Sequence, residues 1–528
     1  MGSSATILWR KSIKISECKD RVLAKKLSRL VRNILPFVIA ASWAGSATAE
    51  SVLRMGMSSL PIYFANPMRT GATPTIYFTP AIFDGLTRID RDGNLLPWLA
   101  VSWEAKDTKT WTLRLRDDVT FSNGTPMTAE AVAFAVNYMA SDESLVESLR
   151  REIPVFEGAV AIDDLTVEIT TADPDPLLMR SLSILPVVEP SEWTRLGREG
   201  FSKEPTGTGP FRIVSWGPTE ARMEAVPTSW RAPQVDRLEV LAIPEKSARI
   251  QALQSNQIDL AIEFGPEDGV TMENAGLKVE HWIAAENAGL SFILTRNPGS
   301  PLQDVRVREA LNLAVNRKII TDVLLEGATV PANQPVPRAA YGYNPGLPPI
   351  AYDPDRARAL LKEAGYESGF SFVTYVVGGI GVGESALQVV ANDFADVGVT
   401  LELRLVPIQQ FLRHLGRGTW PEEIDAFSMN WPVWPSLDSL RALRLHSCLR
   451  REPWYCDETI MPLIQEAMVE WDADTAVSIR QNIMAWYRNQ YPAVYMFEAA
   501  QFAGMRPNVS GFSMTNNIIS FEKLSIAP

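Results

Sequence analysis

Between residues 110 and 136 the hydrophobic period of the chain switches from strand to helix, and that switch sharply limits the folds open to it. Trp111, Leu113 and Leu115 alternate with Thr112, Arg114 and Arg116, the period-two pattern of a half-buried strand. Asn123-Gly124-Thr125-Pro126 then breaks the chain into a turn. Thr128 stands where a helix N-cap is expected, with Glu130 in the first turn and Val132, Phe134 and Val136 following. The same succession recurs downstream. Leu165, Val167 and Ile169 alternate with polar neighbours as another strand, and Ser247–Ile262 reads as a helix, a break at Ser255-Asn256 and a buried strand. Gly289–Thr295 and Phe370–Val377 read as apolar strands. Asp304 is placed to cap a helix with Val307, Ala310, Leu311 and Ala314 on one face. Asp353-Pro354 starts another, with Ala357, Leu360, Leu361 and Ala364, closed by Gly365. Strands and helices that alternate in this way predict an α/β protein.

The N-terminus predicts export. Residues 1–33 carry nine basic residues against Glu17 and Asp20, an apolar run spans Ile34 to Ala41, and Ala47-Thr48-Ala49 offers a small-x-small cleavage site before Glu50. That order is the one found in secretory signal peptides, and the apolar run falls short of the roughly 20 residues that span a bilayer. No cysteine sits at the cleavage point, so no lipid anchor is expected. Without residues 1–49 the chain holds 41 basic and 60 acidic residues, a net charge of −19, which argues against nucleic acid or an anionic membrane as a partner. Its 479 residues exceed one ordinary core and predict more than one lobe. The remaining cysteines, Cys448 and Cys456, have seven residues between them in SCLRREPWYC; they read as a disulfide closing a short loop, with two buried thiols as the alternative.

The block from Phe83 to Val132 resembles the solute-binding proteins of peptide, nickel and opine importers, extracellular solute-binding family 5. The shared pattern is Leu99-Ala100 with Trp103, Leu115-Arg116, Phe121 with Gly124 and Pro126, and Thr128-Ala129-Glu130 with Val132. Further matches are Gly207-Thr208-Gly209-Pro210-Phe211, Ile258-Asp259-Leu260 and the run VRVREALNLAVNRKII from Val305. The resemblance implies a two-lobed periplasmic binding protein of the large cluster-C type, with two crossing hinge segments and an additional first-lobe subdomain around 83–200. Lobe I is then expected over 50–288, lobe II over 289–495 and a return to lobe I over 496–528, with crossings near Glu286 and within Val494–Ala500. It also implies a periplasmic monomer that closes over a small-molecule or peptide ligand and delivers it to ABC permease subunits in the inner membrane. No catalytic chemistry and no cofactor are expected. The three histidines (His281, His414, His446) are far apart, and no His-Glu-x-x-His, Gly-x-Ser-x-Gly or Walker loop is present, which leaves a secreted hydrolase as the weaker alternative. The glycines at 207 and 209 read as a turn rather than a phosphate cradle, because Pro210 removes a donor and no Lys-Ser/Thr follows.

The ligand is the open question. In the dipeptide-binding branch a Gly-Trp pair is followed three residues on by an aspartate that holds the ligand ammonium; here Asn430-Trp431 is followed by Trp434 at that offset, with Asp438 the nearest acid. The arginine that holds the ligand carboxylate in that branch has no counterpart at Gly378-Gly379-Ile380. Trp431 and Trp434 offer ring faces to a sugar or a peptide side chain, or else pack in the interior; Asn430 offers donors and acceptors. In the first lobe, Met57, Ser58, Tyr77 and Arg69 fall where the resemblance places ligand-facing positions, Arg69 being either a partner for an anionic ligand or a surface residue. A peptide, an opine-like solute, a sugar-containing ligand and a metal chelate all remain open at this level, with no metal ligands assigned.

Overall fold

The structure is a computed structural model that describes residues 50–69, 74–377 and 383–527. The expected signal segment and the glycines at 378–381 lie outside the described residues. Ten strands form the main sheet: β1 (Val52–Met57), β6 (Phe211–Trp216), β7 (Glu220–Ala225), β8 (Arg237–Ala242), β9 (Leu260–Phe264), β10 (Lys278–Phe292), β11 (Phe370–Val377), β12 (Val399–Val406), β13 (Ala426–Pro432) and β14 (Ala493–Met505). A separate four-stranded sheet comprises β2 (Ala100–Ala105), β3 (Thr110–Leu115), β4 (Phe156–Asp163) and β5 (Thr166–Thr171). It is backed by the helix Ala129–Ala140, whose buried face includes Val132 and Val136.

The order across the main sheet is β12-β11-β13-β10-β14-β9-β1-β8-β7-β6. Two parallel triplets, β12-β11-β13 and β9-β1-β8, flank the long antiparallel pair β10/β14. Register fixes the directions. β9 runs from Leu260 beside Met505 to Phe264 beside Phe502, and β13 runs from Ala426 beside Phe292 to Pro432 beside Glu286. Both triplets therefore point their carboxyl ends at the middle of β10/β14. There the ladder breaks: pairing shifts between Ile283 and Asn287, opposite Ala500 and Glu498. Ligands of open α/β sheets bind outside the carboxyl ends of parallel strands, so the topology alone directs attention to this break.

Local chemistry explains most boundaries. Asp304 and Asp353 accept hydrogen bonds from Arg306 N and Arg356 N as N-caps, and Pro354 occupies the first helical turn. Thr128 holds the N-cap position but makes no side-chain cap bond; Ala129 N instead donates to Asp164 O. The turn at 205–211 is a packing device, since a Cβ on Gly207 or Gly209 would stand 2.1 and 2.5 Å from backbone atoms of Ile82. The strand expected over Gly289–Thr295 is instead the C-terminal part of the much longer β10, because pairing with β14 extends it back to Lys278. Cys448 and Cys456 form a disulfide, Cα atoms 4.5 Å apart.

Candidate ligand-binding cleft

On the first-triplet side, Ser58 follows β1 and donates to Glu263 twice, from N at 2.6 Å and Oγ at 2.9 Å. Glu263 sits near the end of β9 with φ 67°, and its carbonyl accepts from the buried Arg249 at 3.0 Å. A positive φ in a non-glycine residue is strained backbone, and such residues concentrate at functional sites. Tyr77, on the short helix Thr75–Phe78, crosses to β14 and donates to Gln501 Oε1 at 2.9 Å. Burial, with the Glu263 and Glu286 charges behind it, pushes the Tyr77 phenol up, so it remains a donor.

Glu286 occupies the break in β10. Its carboxylate accepts one bond, from Asn430 Nδ2 at 2.7 Å, and pairs with no cation among the described residues. Burial raises its pKa. Asn430 Oδ1 is buried without a donor. Across β14, Glu498 is also raised by burial but meets Arg338 Nε at 3.1 Å. Glu498 meets a cation and Glu263 takes both donors of Ser58, while Glu286 has neither a cation nor a second donor among the described residues. A half-buried carboxylate with one neutral donor is a favourable place for something cationic to join it.

The other predicted ligand contacts divide. Met57 is fully buried and its side chain belongs to the core beneath β1. Trp431 is 1 % exposed; its ring lies on the His446 imidazole, centroids 3.4 Å apart, and its Nε1 donates to Ser291 Oγ at 3.2 Å. Gly289 makes room for it, since a Cβ there would stand 3.2 Å from Trp431 Nε1. The Cys448–Cys456 loop holds His446 in place, with Trp454 Nε1 donating to His446 Nδ1 at 3.1 Å. Burial depresses the His446 pKa, consistent with a neutral ring that accepts at Nδ1. The ring faces of Trp431 are therefore taken by the protein. Arg69 is likewise engaged: it donates to the buried Glu147 at 3.0 Å and lies over Tyr63. Asp438 caps the helix Ser439–Leu443 and pairs with Arg480 at 2.8 Å. Trp434, by contrast, leaves the end of β13 and lines a cavity whose other walls are Phe83, Arg88, Trp98 and Ser183 of the first-triplet half.

Contacts across the two halves are numerous. Arg441 grips Glu152 through two bonds, 2.6 and 3.2 Å, and Arg180 donates to Ser436 O at 2.7 Å. Trp111 stacks on Trp471 at 5.4 Å, and Asn516 Nδ2 donates to Pro435 O at 2.7 Å. Among the described residues no group of three or more His, Cys, Asp or Glu side chains is arranged to hold a metal ion, and no helix is long and apolar enough to cross a membrane. Glu263 and Gln501 were not singled out from the sequence, and Glu286 entered it only as the place of a crossing between lobes. The available signal was a lone glutamate in the apolar run IAAENAGLSF, where a charge must face a cavity or a partner.

Comparison with known proteins agrees with this geometry. The model of the bacterial extracellular solute-binding proteins, family 5 Middle, matches residues 94–443. The glutathione-binding protein GsiB of Pectobacterium atrosepticum is 27 % identical over 396 residues, covering 73 % of this chain and 75 % of that protein. HbpA2 of Haemophilus parasuis superposes with a TM-score of 0.76 at 21 % identity, over 90 % of this chain and all of its own. The periplasmic binding protein DppA of Helicobacter pylori, in complex with the peptide STSA, superposes at 0.71 and 20 % identity over 90 % of this chain and 98 % of its own. These neighbours share the two-lobed cluster-C architecture. From the triplets that converge on one cleft and the match across most of its length, the chain belongs to the bacterial extracellular solute-binding proteins, family 5.

Proposed function

We propose that this protein captures, in the periplasm, a peptide or opine-like solute bearing a free ammonium group, and that Glu286 is the anchor for that ammonium. As a family 5 protein it is the substrate-binding component of an ABC importer, closing two lobes over a solute for delivery to the permease. The observation that carries the ligand reading is the Glu286 carboxylate, half-buried at the break in β10 with Asn430 as its one partner among the described residues. An ammonium placed there forms an ion pair shielded from water, and Asn430 Oδ1 gains a donor. This answers the missing aspartate after Trp431: the acid is supplied from the neighbouring strand instead. Glutathione, the cargo named for the GsiB relatives, and short peptides both carry such an ammonium. The lobes hinge where the β10/β14 ladder shifts register, near residues 284–286 and 498–500, and the chain is exported by residues 1–49 and acts as a monomer.

Native mass spectrometry of protein purified from its own periplasm tests the reading. The expected spectrum shows a chain beginning at Glu50 with a retained, amine-containing solute. A retained solute without an amine, such as a neutral sugar, would overturn the role given to Glu286.

A further inference from the structure

One cavity in the interface between the halves is not explained by packing. It has a volume of about 50 Å³ and is lined by Ile76, Phe83, Arg88, Trp98 and Ser183 from one side and by Trp434 from the other. That is too small for a whole solute but holds one terminal group, since a single water needs roughly 10–15 Å³. Its polar side chains fall into two sets. Thr79, Thr87 and Ser183 spend their hydroxyls on the carbonyls of Thr75, Met179 and Arg180. Asp84 accepts from Trp98 Nε1, Thr208 Oγ1 and Arg231 Nη2 at 2.7–2.9 Å, and Arg231 also grips Glu522.

Two groups remain, and both are donors. Arg88 stacks over the Trp98 ring at 3.7 Å and has no hydrogen-bond acceptor or ion pair among the described residues. Stacking occupies the face of a guanidinium and leaves its N–H edge free. Trp434, nine-tenths buried, has an indole Nε1 with no acceptor among the described residues. Burial and the neighbouring Arg231 charge lower the Arg88 pKa to about 10, so it is still a cation at neutral pH.

We infer that Arg88 and the Trp434 indole N–H form a carboxylate subsite, taking one carboxylate of the captured solute between the two lobes. One carboxylate oxygen meets the guanidinium edge and the other the indole. Asp84 is the one acid on the cavity wall, and its three donors already neutralise it. Because Arg88 and Trp434 lie on opposite halves, a carboxylate held by both favours the closed form over the open one, which is how a ligand shifts a conformational equilibrium. The inference rests on the capture reading above but uses different residues and a different solute group.

Two variants test it. Trp434→Phe keeps the ring and removes the N–H; Arg88→Met removes the charge while keeping an apolar stem on Trp98. The indole resonance of Trp434, identified by its absence in Trp434→Phe, is followed in the full mature protein during titration with acetate and with acetamide. Acetate is expected to shift it saturably, acetamide to leave it in place, and Arg88→Met to abolish the acetate response. In parallel, a peptide free acid should bind the native protein about tenfold or more tighter than its C-terminal amide, with that preference lost in both variants. An indole unmoved by acetate, or moved equally by acetamide, overturns the subsite, as does an acid-over-amide preference unchanged in both variants. Failure of the Glu286 reading appears elsewhere, in indifference to N-acetylation of the peptide, so the two are separable.

Discussion

Charged residues between the two halves behave in opposite ways in two neighbouring regions. Around Glu152, Arg180 and Asp438 three charges are engaged by the chain itself: Arg441 meets Glu152, Arg480 meets Asp438, and Arg180 donates to the carbonyls of Ser436 and Gly93. At the break in β10, Glu286 meets one amide, and in the cavity lined by Trp98 and Trp434, Arg88 meets only a ring among the described residues. Matched pairs link the halves through the chain's own groups. Unmatched half-buried charges cost folding energy, and such a cost persists where something outside the chain offsets it. The difference separates what closes the protein from what the closure is for.

Substitutions in the matched region test one side of this contrast. Arg480→Met removes a fully buried cation and leaves Asp438, 16 % exposed, without its partner, and should lower stability by about 2–4 kcal/mol in chemical denaturation. A loss well under 1 kcal/mol would remove the distinction. Arg441→Ala acts on a more open pair, both side chains 15 % exposed, and should cost about 1–2 kcal/mol. It should also weaken every solute alike, since it loosens closure and touches no ligand; small-angle scattering should report a larger radius. Weakening confined to one solute class would contradict that assignment. Asp175 gives the smallest effect. Burial and the facing Asp438 raise its carboxyl to about 6 from 3.8, so the folded state holds the proton more tightly and stability falls as pH rises through that interval. Asp175→Asn should flatten this slope, on the order of 1 kcal/mol at this partly exposed site.

Local features were legible where the chain decides for itself. Phe370–Val377 is a strand as its apolar run implies, and Asp304 and Asp353 cap helices as their positions imply. What depends on distant partners was not. Arg69 looked available to a ligand, yet Glu147, 78 residues away, claims it. Trp431 and Trp434 look equivalent in NWPVWP, but Gly289 on the neighbouring strand admits the first into the interior while the second turns to the opposite half. The full extent of β10 was hidden because Lys278–His281 has no apolar alternation and is a strand only through β14. The lone Glu286 carried its signal openly, but its lack of a partner is a property of the folded chain.

The central claim is that the unmatched Glu286 belongs to the ligand. Isothermal titration of a peptide and its N-acetyl derivative against the native protein and Glu286→Gln closes a two-by-two cycle on that one contact. The expected result is a loss of about 1.5–3 kcal/mol, roughly tenfold to a hundredfold in Kd, from either change alone, with little further loss from both together. Native affinity for the free peptide should also fall on acidification, because the raised carboxyl must release its proton to pair with an ammonium. Additive losses, or a Glu286→Gln variant that binds the free peptide as tightly as the native protein, would contradict the claim.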